Sequence, residues 1–213
     1  MRADRKVILA LDETDPAKAK AVAKAVAPFV AAIKVNYPLV LSAGMGIITE
    51  LAKDSYVLCD FKVADIPNTN RLIVEQAVKA GASGVICHAF AGDDSVKACV
   101  DAAQGKDIFV VTEMSHPGGK RFTQPLADEL AKIAVEAGAA GVIAPATRPE
   151  RIAHVRKLVG NLKILSPGVG AQGGSARDAL RAGADYVIVG RGIYQSPDPA
   201  AAAKAVSEET KSI

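Results

Sequence analysis

The chain has 213 residues and a net charge of +3 with its basic residues scattered, which leaves room for a substantial core and excludes a polyanion-binding surface. Half the residues are hydrophobic, aromatics reach only 4% and Trp is absent, so an aliphatic α/β core is expected and nucleic-acid recognition through stacked bases is not. Cys59, Cys87 and Cys99 lack metal-ligand spacing, the N-terminal run VILAL is too short for a signal peptide, and no run approaches a membrane span; a cytoplasmic protein in a reducing compartment is expected.

Short β-rich runs then alternate with Ala-rich helical ones. Residues 6–11 (KVILAL) read as a strand and 15–29 as a helix, with Asp15 as N-cap and Pro16 at its first position. A second strand covers 31–35 and a second helix 38–52. The third strand, 56–61, runs out through Lys62 and Asp65 toward a helix over 67–80. Three similar segments follow: KAGASGVICH (79–88), EAGAAGVIAP (136–145) and RAGADYVIVG (181–190). Each ends a helix at a Gly, suited to the left-handed C-terminal position, and opens a short apolar strand. Between them lie a helix over 93–103, a strand over 107–112, helices over 125–137 and 147–158, a strand over 162–166 and a helix over 174–182. A last helix covers 199–211.

Strictly alternating strands and helices, with strands that are continuously apolar, predict a parallel sheet covered by helices. The expected fold is an α/β (β/α)8 barrel forming a single domain over 1–213, with a doubly wound open sheet as the alternative. A barrel carries its chemistry at the C-terminal ends of its strands, and there the sequence places Asp12, Lys34, Asp60 and Lys62 on three successive strands. Strand alternation sends Asp60 and Lys62 to one face. Burying such charges adds little stability, because desolvation offsets their attraction, so an alternating acid–base set at one mouth points to a reactive site. A solvated salt bridge where the third strand ends is the plainer alternative.

GVGAQG (168–173) fits G-x-G-x-x-G, but too few residues follow it for a dinucleotide fold and Asp185 lies too near to be the ribose acid. The same glycines let backbone N–H groups approach an anion, and the loops after strands 7 and 8 are where barrels hold phosphate. Pro167 ends strand 7, Gln172 offers an amide donor, and Gly190-Arg191-Gly192 adds a forked cation. Two Gly-rich turns with a surface Arg would look the same. MSHPGGKRFTQ (114–124) is long for a connection, with Ser115 at its strand end and hinge freedom at Gly118-Gly119; it reads as a lid or as a surface insertion. His88 and His116 lie at the mouth and His154 mid-helix on the surface, without company for a metal, so no metal site is expected.

In these residues the chain resembles the orotidine 5′-monophosphate decarboxylase family, and most of all its short archaeal-type members. ALDET (10–14), IKVNYP (33–38), DFKVADIPNT (60–69), EMSHPG (113–118), SPGVGAQGG (166–174) and VGRGIY (189–194) match in order. The run D-x-K-x-x-D alone is shared with sugar-phosphate decarboxylases and aldol-type synthases of the superfamily; those use a metal and would carry an acid where Lys34 stands. The resemblance implies a homodimer of barrels that converts orotidine 5′-monophosphate to uridine 5′-monophosphate without metal or organic cofactor. It implies Lys62 as proton donor to C6 of the pyrimidine, Asp60 beside the departing carboxylate, Lys34 between Asp60 and the ribose, and Asp12 on a ribose hydroxyl. Asp65 and Thr69 would complete the neighbouring subunit's site. Ser115 would touch the pyrimidine, Gln172 and Arg191 the phosphate, with Pro167 and Gly190 also among the substrate-binding positions. HAFAG (88–92) departs from the family's usual HGFPG, where no catalytic role is carried over. A non-catalytic nucleotide-binding barrel would need a gap in the acid–base set, and none is visible.

Overall fold

The computed structural model describes residues 1–211; the last two residues of the expected domain, 212 and 213, lie outside the described residues. Eight strands are present: β1 (Val7–Leu11), β2 (Ala32–Val35), β3 (Val57–Val63), β4 (Gly84–His88), β5 (Asp107–Val111), β6 (Gly141–Ile143), β7 (Lys163–Pro167) and β8 (Tyr186–Val189). They pair in sequence order, all parallel, and β8 returns to β1 through Val7 opposite Val187, which closes the barrel and excludes the open sheet. The helices in chain order are α1 (Pro16–Val26), α2 (Tyr37–Ala43), α3 (Gly46–Ala52), α4 (Pro67–Lys79), α5 (Asp93–Ala102), α6 (Pro117–Phe122), α7 (Ala127–Glu136), α8 (Pro149–Val159), α9 (Ala176–Arg181), α10 (Arg191–Tyr194) and α11 (Pro199–Lys211).

Alternation along each strand divides the core in two. Ile8, Leu58, Ile86, Phe109, Leu165 and Ile188 fill the barrel interior, while neighbours such as Val7, Leu9, Val85 and Val110 pack outward against the helices. Each fully buried aliphatic side chain contributes about 1.5–3 kcal/mol. Local signals start and stop the helices as expected. Asp15 accepts from the N–H groups of Ala17 at 2.8 Å and Lys18 at 3.1 Å, capping α1. Gly81, Gly138 and Gly183, just past three helices, take φ of 103°, 73° and 108°.

Four features depart from the sequence reading. The helix expected over 38–52 is two, because Gly44 takes φ 73° after α2 and the chain re-enters a helix as α3. Residues 114–124 are not a structureless connection: α6 and the start of a 3-10 turn at Gln124–Leu126 occupy most of the stretch. Gly119 is buried, and a Cβ there would strike the Met114 carbonyl, so this glycine serves close packing and not hinge freedom. The short helix α10 follows β8 where no helix was expected.

The fourth concerns β3. It runs to Val63, past the expected end, and is not evenly paired: it advances four residues from Cys59 to Val63 while β4 advances two, from Val85 to Cys87. Two extra residues keep the in–out parity of β3, so Leu58, Asp60 and Lys62 share the inner face although the ladder is broken between them.

Gly141 opens β6 where a Cβ would collide with the Lys163 carbonyl and lie 2.8 Å from the Phe109 ring. Gly141→Ala is expected to destabilise the barrel by about 1–3 kcal/mol in urea unfolding, the usual penalty of overpacking, whereas Gly46→Ala, which meets nothing within 4 Å, stays near neutral.

Candidate active site

A cavity of about 360 Å³ opens at the C-terminal ends of the strands. Asp12, Lys34, Asp60, Lys62, Ser115, Pro167, Gln172, Gly190 and Arg191 all line it, so nine of the positions singled out in the sequence meet at one place. Its floor and walls are apolar, from Ile86, Val111, Ile143 and Ile188.

The centre of the site is a three-member charge array. Asp60 accepts from Lys34 Nζ on Oδ2 and from Lys62 Nζ on Oδ1, each at 2.8 Å. The side chains of Asp60 and Lys34 are 8% and 7% exposed, that of Lys62 33%, so two charges are sealed in and one looks into the cavity. Burial raises the Asp60 pKa, but Lys34 and Lys62 more than offset it and hold the carboxyl below its ordinary value. Lys34 reaches Asp60 because β2 and β3 pair with Lys34 beside Leu58, two residues short of Asp60. Lys62 reaches it from the irregular end of β3, with φ at +43°, a left-handed conformation that side chains with a Cβ seldom adopt. Plain strand alternation therefore places Lys62 on the correct face, while a broken ladder sets its position.

Beside this array, Asp12 follows β1, the neighbour of β2, and its buried Oδ1 makes no hydrogen bond within the described residues, leaving an acceptor for a donor in the cavity. Past β7, Gly168 at φ 103° opens a compact loop in which Gly170 donates to the Gly174 carbonyl at 2.9 Å and Gly174 to the Gly168 carbonyl at 3.0 Å. That turn carries the exposed Gln172 at the same end of the cavity as Arg191, which follows the neighbouring β8 and is also exposed, at the start of α10. An amide and a guanidinium with room between them suit a small, hydrated anion.

The segment after β5 is held from below. Glu113 is completely buried and accepts from Arg148 Nε at 2.8 Å and Arg151 Nε at 2.9 Å. Arg148 also donates to the Met114 carbonyl at 2.5 Å and to that of Ser115 at 3.4 Å, and Thr147 Oγ donates to the latter at 3.3 Å. The backbone carrying Ser115 is thus tied to the β6–α8 connection. Arg151 continues to Asp128, which His154 also meets at 2.8 Å, so His154 is a half-buried surface residue with a hydrogen-bond partner. His116 lines the cavity. His88 is not among the lining residues; burial chiefly, with Lys62 nearby, lowers its pKa and keeps it neutral.

Asp65 and Thr69 stand apart. Neither lines the cavity: Asp65 is exposed beyond β3, its carboxylate accepting from the Ile66 N–H at 2.7 Å, and Thr69 lies in the first turn of α4. Their turn is fixed by Asn70, whose amide accepts from the Asp65 N–H at 2.9 Å, and by Ser95, whose hydroxyl donates to the Asp65 carbonyl at 2.6 Å. Sequence reasoning missed Asn36, Glu113 and Tyr194 as lining residues and Arg148 as their neighbour. Asn36, two residues after Lys34 on the inner parity of β2, was the one with a readable signal. Among the described residues no group of three or more His, Cys, Asp and Glu side chains is arranged to hold a metal, and no helix is long and apolar enough to cross a membrane.

Comparison with known proteins gives a consistent result. The model of the Orotidine 5'-phosphate decarboxylase / HUMPS family matches residues 5–206. The orotidine 5′-phosphate decarboxylase of Methanococcoides burtonii is 57% identical over 98% of this chain and 99% of its own length. That of Methanosarcina mazei is 58% identical over 95% of this chain and 94% of its own. The crystal structure of the Methanocaldococcus jannaschii orotidine 5′-monophosphate decarboxylase, complexed with inhibitor BMP, superposes with a TM-score of 0.92 at 47% identity, covering 96% of this chain and 97% of that one.

The charge array generates a pH test. Because the folded pKa of Asp60 is lowered, its pairing contributes stability above the ordinary carboxyl value of 3.8 and loses it as pH falls through and below that value. Asp60→Asn, which strands two ammonium groups, is expected to cost about 3–5 kcal/mol at neutral pH. In urea titrations that difference should narrow steadily below the ordinary carboxyl value of 3.8. A difference independent of pH would mean that Asp60 is not ionised in the fold.

Proposed function

The chain belongs to the orotidine 5′-phosphate decarboxylase / HUMPS family, and from that premise we propose that it converts orotidine 5′-monophosphate to uridine 5′-monophosphate and carbon dioxide. This would be the last step of uridine 5′-monophosphate biosynthesis, performed in the cytoplasm by a single barrel domain that spans the chain and uses no metal or organic cofactor. The observation that carries the reading is the Lys34–Asp60–Lys62 array at the cavity, which offers a proton and a fixed field where carbanion character would develop.

In this reading the bond from C6 to the carboxylate breaks and its electron pair remains at C6. The Lys62 ammonium, ordered against Asp60, stabilises that charge as it forms and then passes its proton to C6; the amine recovers a proton from solvent. Asp60 lies beside the departing carboxylate. Ionised, it has no hydrogen to donate to the substrate carboxylate, and its charge favours loss of that group as neutral carbon dioxide. Lys34 has hydrogens to spare beyond the one on Asp60, enough to hold a ribose hydroxyl, and Asp12 Oδ1 takes another. Ser115 contacts the pyrimidine, Gln172 and Arg191 grip the phosphate, and Pro167 and Gly190 shape the walls between. Binding energy at the remote phosphate organises the charges around C6, so its loss lowers the rate as well as the affinity.

We further propose that the active unit is a homodimer in which Asp65 and Thr69 complete the partner's site. Their position outside their own cavity supports this, as does the run of exposed apolar side chains on the same flank of the barrel: Tyr37, Leu41, Ile66 and Phe90 follow β2, β3 and β4 and are 46%, 81%, 66% and 58% exposed.

Three measurements test the proposal. Orotidine 5′-monophosphate absorbance should fall on adding protein in the presence of a chelator; activity lost to chelator and restored by magnesium would favour a metal-using sugar-phosphate enzyme instead. Lys62→Ala and Asp65→Ala should each be inactive, yet regain activity when mixed under conditions where native mass spectrometry shows complete subunit exchange. With half the dimers mixed and one intact site in each, about a quarter of the sites should work; none working would place Asp65 in its own chain's site. Arg191→Ala should lower kcat/KM by a factor of roughly 10²–10³ on the full substrate and scarcely at all on a substrate lacking the phosphate.

A further inference from the structure

Lys62 is one of two non-glycine residues with positive φ among the described residues, and the only one that lines the cavity. Such a conformation survives when its surroundings enforce it, and the β3–β4 ladder is not the enforcer, since its register is interrupted between Cys59 and Val63. Beside the Lys62–Asp60 hydrogen bond, a contact to the backbone just before Lys62 comes from the first residue of α2. Tyr37 Oη donates to the Phe61 carbonyl at 2.9 Å, and the Tyr37 ring stacks on that of Phe61 with centroids 5.3 Å apart and planes at 18°.

The Phe61 carbonyl and the Lys62 N–H belong to one rigid peptide plane. Fixing the direction of that carbonyl fixes the plane, and with Val63 held beside Cys87 on the other side, the plane sets φ of Lys62. The stacked rings keep the Tyr37 hydroxyl beside that carbonyl, so the peptide cannot flip without breaking the hydrogen bond. Tyr37 is itself anchored: Asn36, which follows β2, accepts from the Tyr37 N–H at 2.7 Å as the N-cap of α2. Burial, and then the nearby Asp60 charge, raise the phenol's pKa, so it remains a donor at neutral pH.

We propose that Tyr37 is a positioning residue for the reaction: its hydroxyl, held on the Phe61 carbonyl, keeps Lys62 in the left-handed conformation that presents the ammonium to Asp60 and to the cavity. The consequence for catalysis rests on the decarboxylase reading; the consequence for the backbone does not.

The test has two arms. Within a strand Gly is ordinarily less stable than Ala, but at positive φ the order reverses. Lys62→Gly should therefore melt about 2–4 °C above Lys62→Ala. In a Tyr37→Phe background, which keeps the stack and removes the hydroxyl, that advantage should vanish or change sign as the peptide relaxes. Lys62→Ala melting at or above Lys62→Gly, or a gap unchanged by Tyr37→Phe, would overturn the proposal. In the kinetic arm Tyr37→Phe alone should lower kcat roughly 10- to 100-fold with KM within about threefold, since the proton donor is displaced while the binding groups stay in place. An unchanged kcat overturns it, as does a loss confined to KM, which would make Tyr37 a binding residue. If the unmodified protein fails to consume orotidine 5′-monophosphate, the functional reading falls, and the melting comparison alone upholds or overturns the hold of Tyr37 on Lys62.

Discussion

One carboxylate shared by two ammonium groups in a nearly dry site is the constraint on which the rest of the structure depends. Asp60 and Lys34 are almost fully removed from water, and two opposite charges so placed are stable only while each keeps its partner at hydrogen-bond distance. That demand fixes the register of β2 against β3, because a slip of one residue would turn Lys34 outward and leave Asp60 without its sealed partner. It also requires Lys62 to return toward Asp60 from beyond the regular part of β3, which the two extra residues and the positive φ accomplish. The local strain is tolerable because the barrel beneath is packed without compromise.

The division of labour around the cavity follows the order of the strands. The charged groups come from β1 to β3 and the loops that suit an anion from β7 and β8, while β4, β5 and β6 supply apolar wall in Ile86, Val111 and Ile143. In the proposed reaction the pyrimidine would lie against that wall, with the charged groups on one edge and the phosphate at the other end. The Glu113–Arg148–Arg151 cluster serves the same economy of motion: a fully buried carboxylate with two guanidinium partners cannot shift without stranding a charge, so the Met114 and Ser115 backbone it grips is held by the same penalty.

Much of this was legible in the sequence because much of it is local. Asp15 before Pro16 starts a helix by its own chemistry, the glycines after three helices end them by theirs, and continuous apolar runs between helices predict a parallel barrel. The barrel rule then makes the ends of strands informative, which is how Asp12, Lys34, Asp60 and Lys62 emerge together. What stayed hidden depends on pairs distant in sequence. Glu113 and Arg148 are 35 positions apart and neither carries a local signature. The same holds for Asn70 and Ser95, which shape the turn presenting Asp65. Residues 117–122 read as loop because PGGKRF has poor helix propensity; the turn forms because Thr123 accepts from the Met114 N–H and donates to the Gly119 carbonyl, a tertiary closure that overrides propensity. The break in β3 has no clear sequence mark: the apolar run ends the expected strand at 61, whereas β3 continues to Val63 through the interrupted pairing.

The geometry of the array also limits how Asp60 can act. A carboxylate with a free oxygen could accept a hydrogen bond from a substrate donor or share a proton with a substrate carboxyl. Here each oxygen already holds one lysine hydrogen bond, and the lowered pKa leaves Asp60 ionised at neutral pH, with no proton to share. In the proposed reaction it would repel a second carboxylate and orient Lys62, and a single set of coordinates would serve both, because the oxygen that fixes the Lys62 ammonium belongs to the same carboxylate. Moving Lys62 changes the two roles together. On the proposed reading, the backbone at Lys62, rather than either charge alone, is the point at which the fold would control the chemistry.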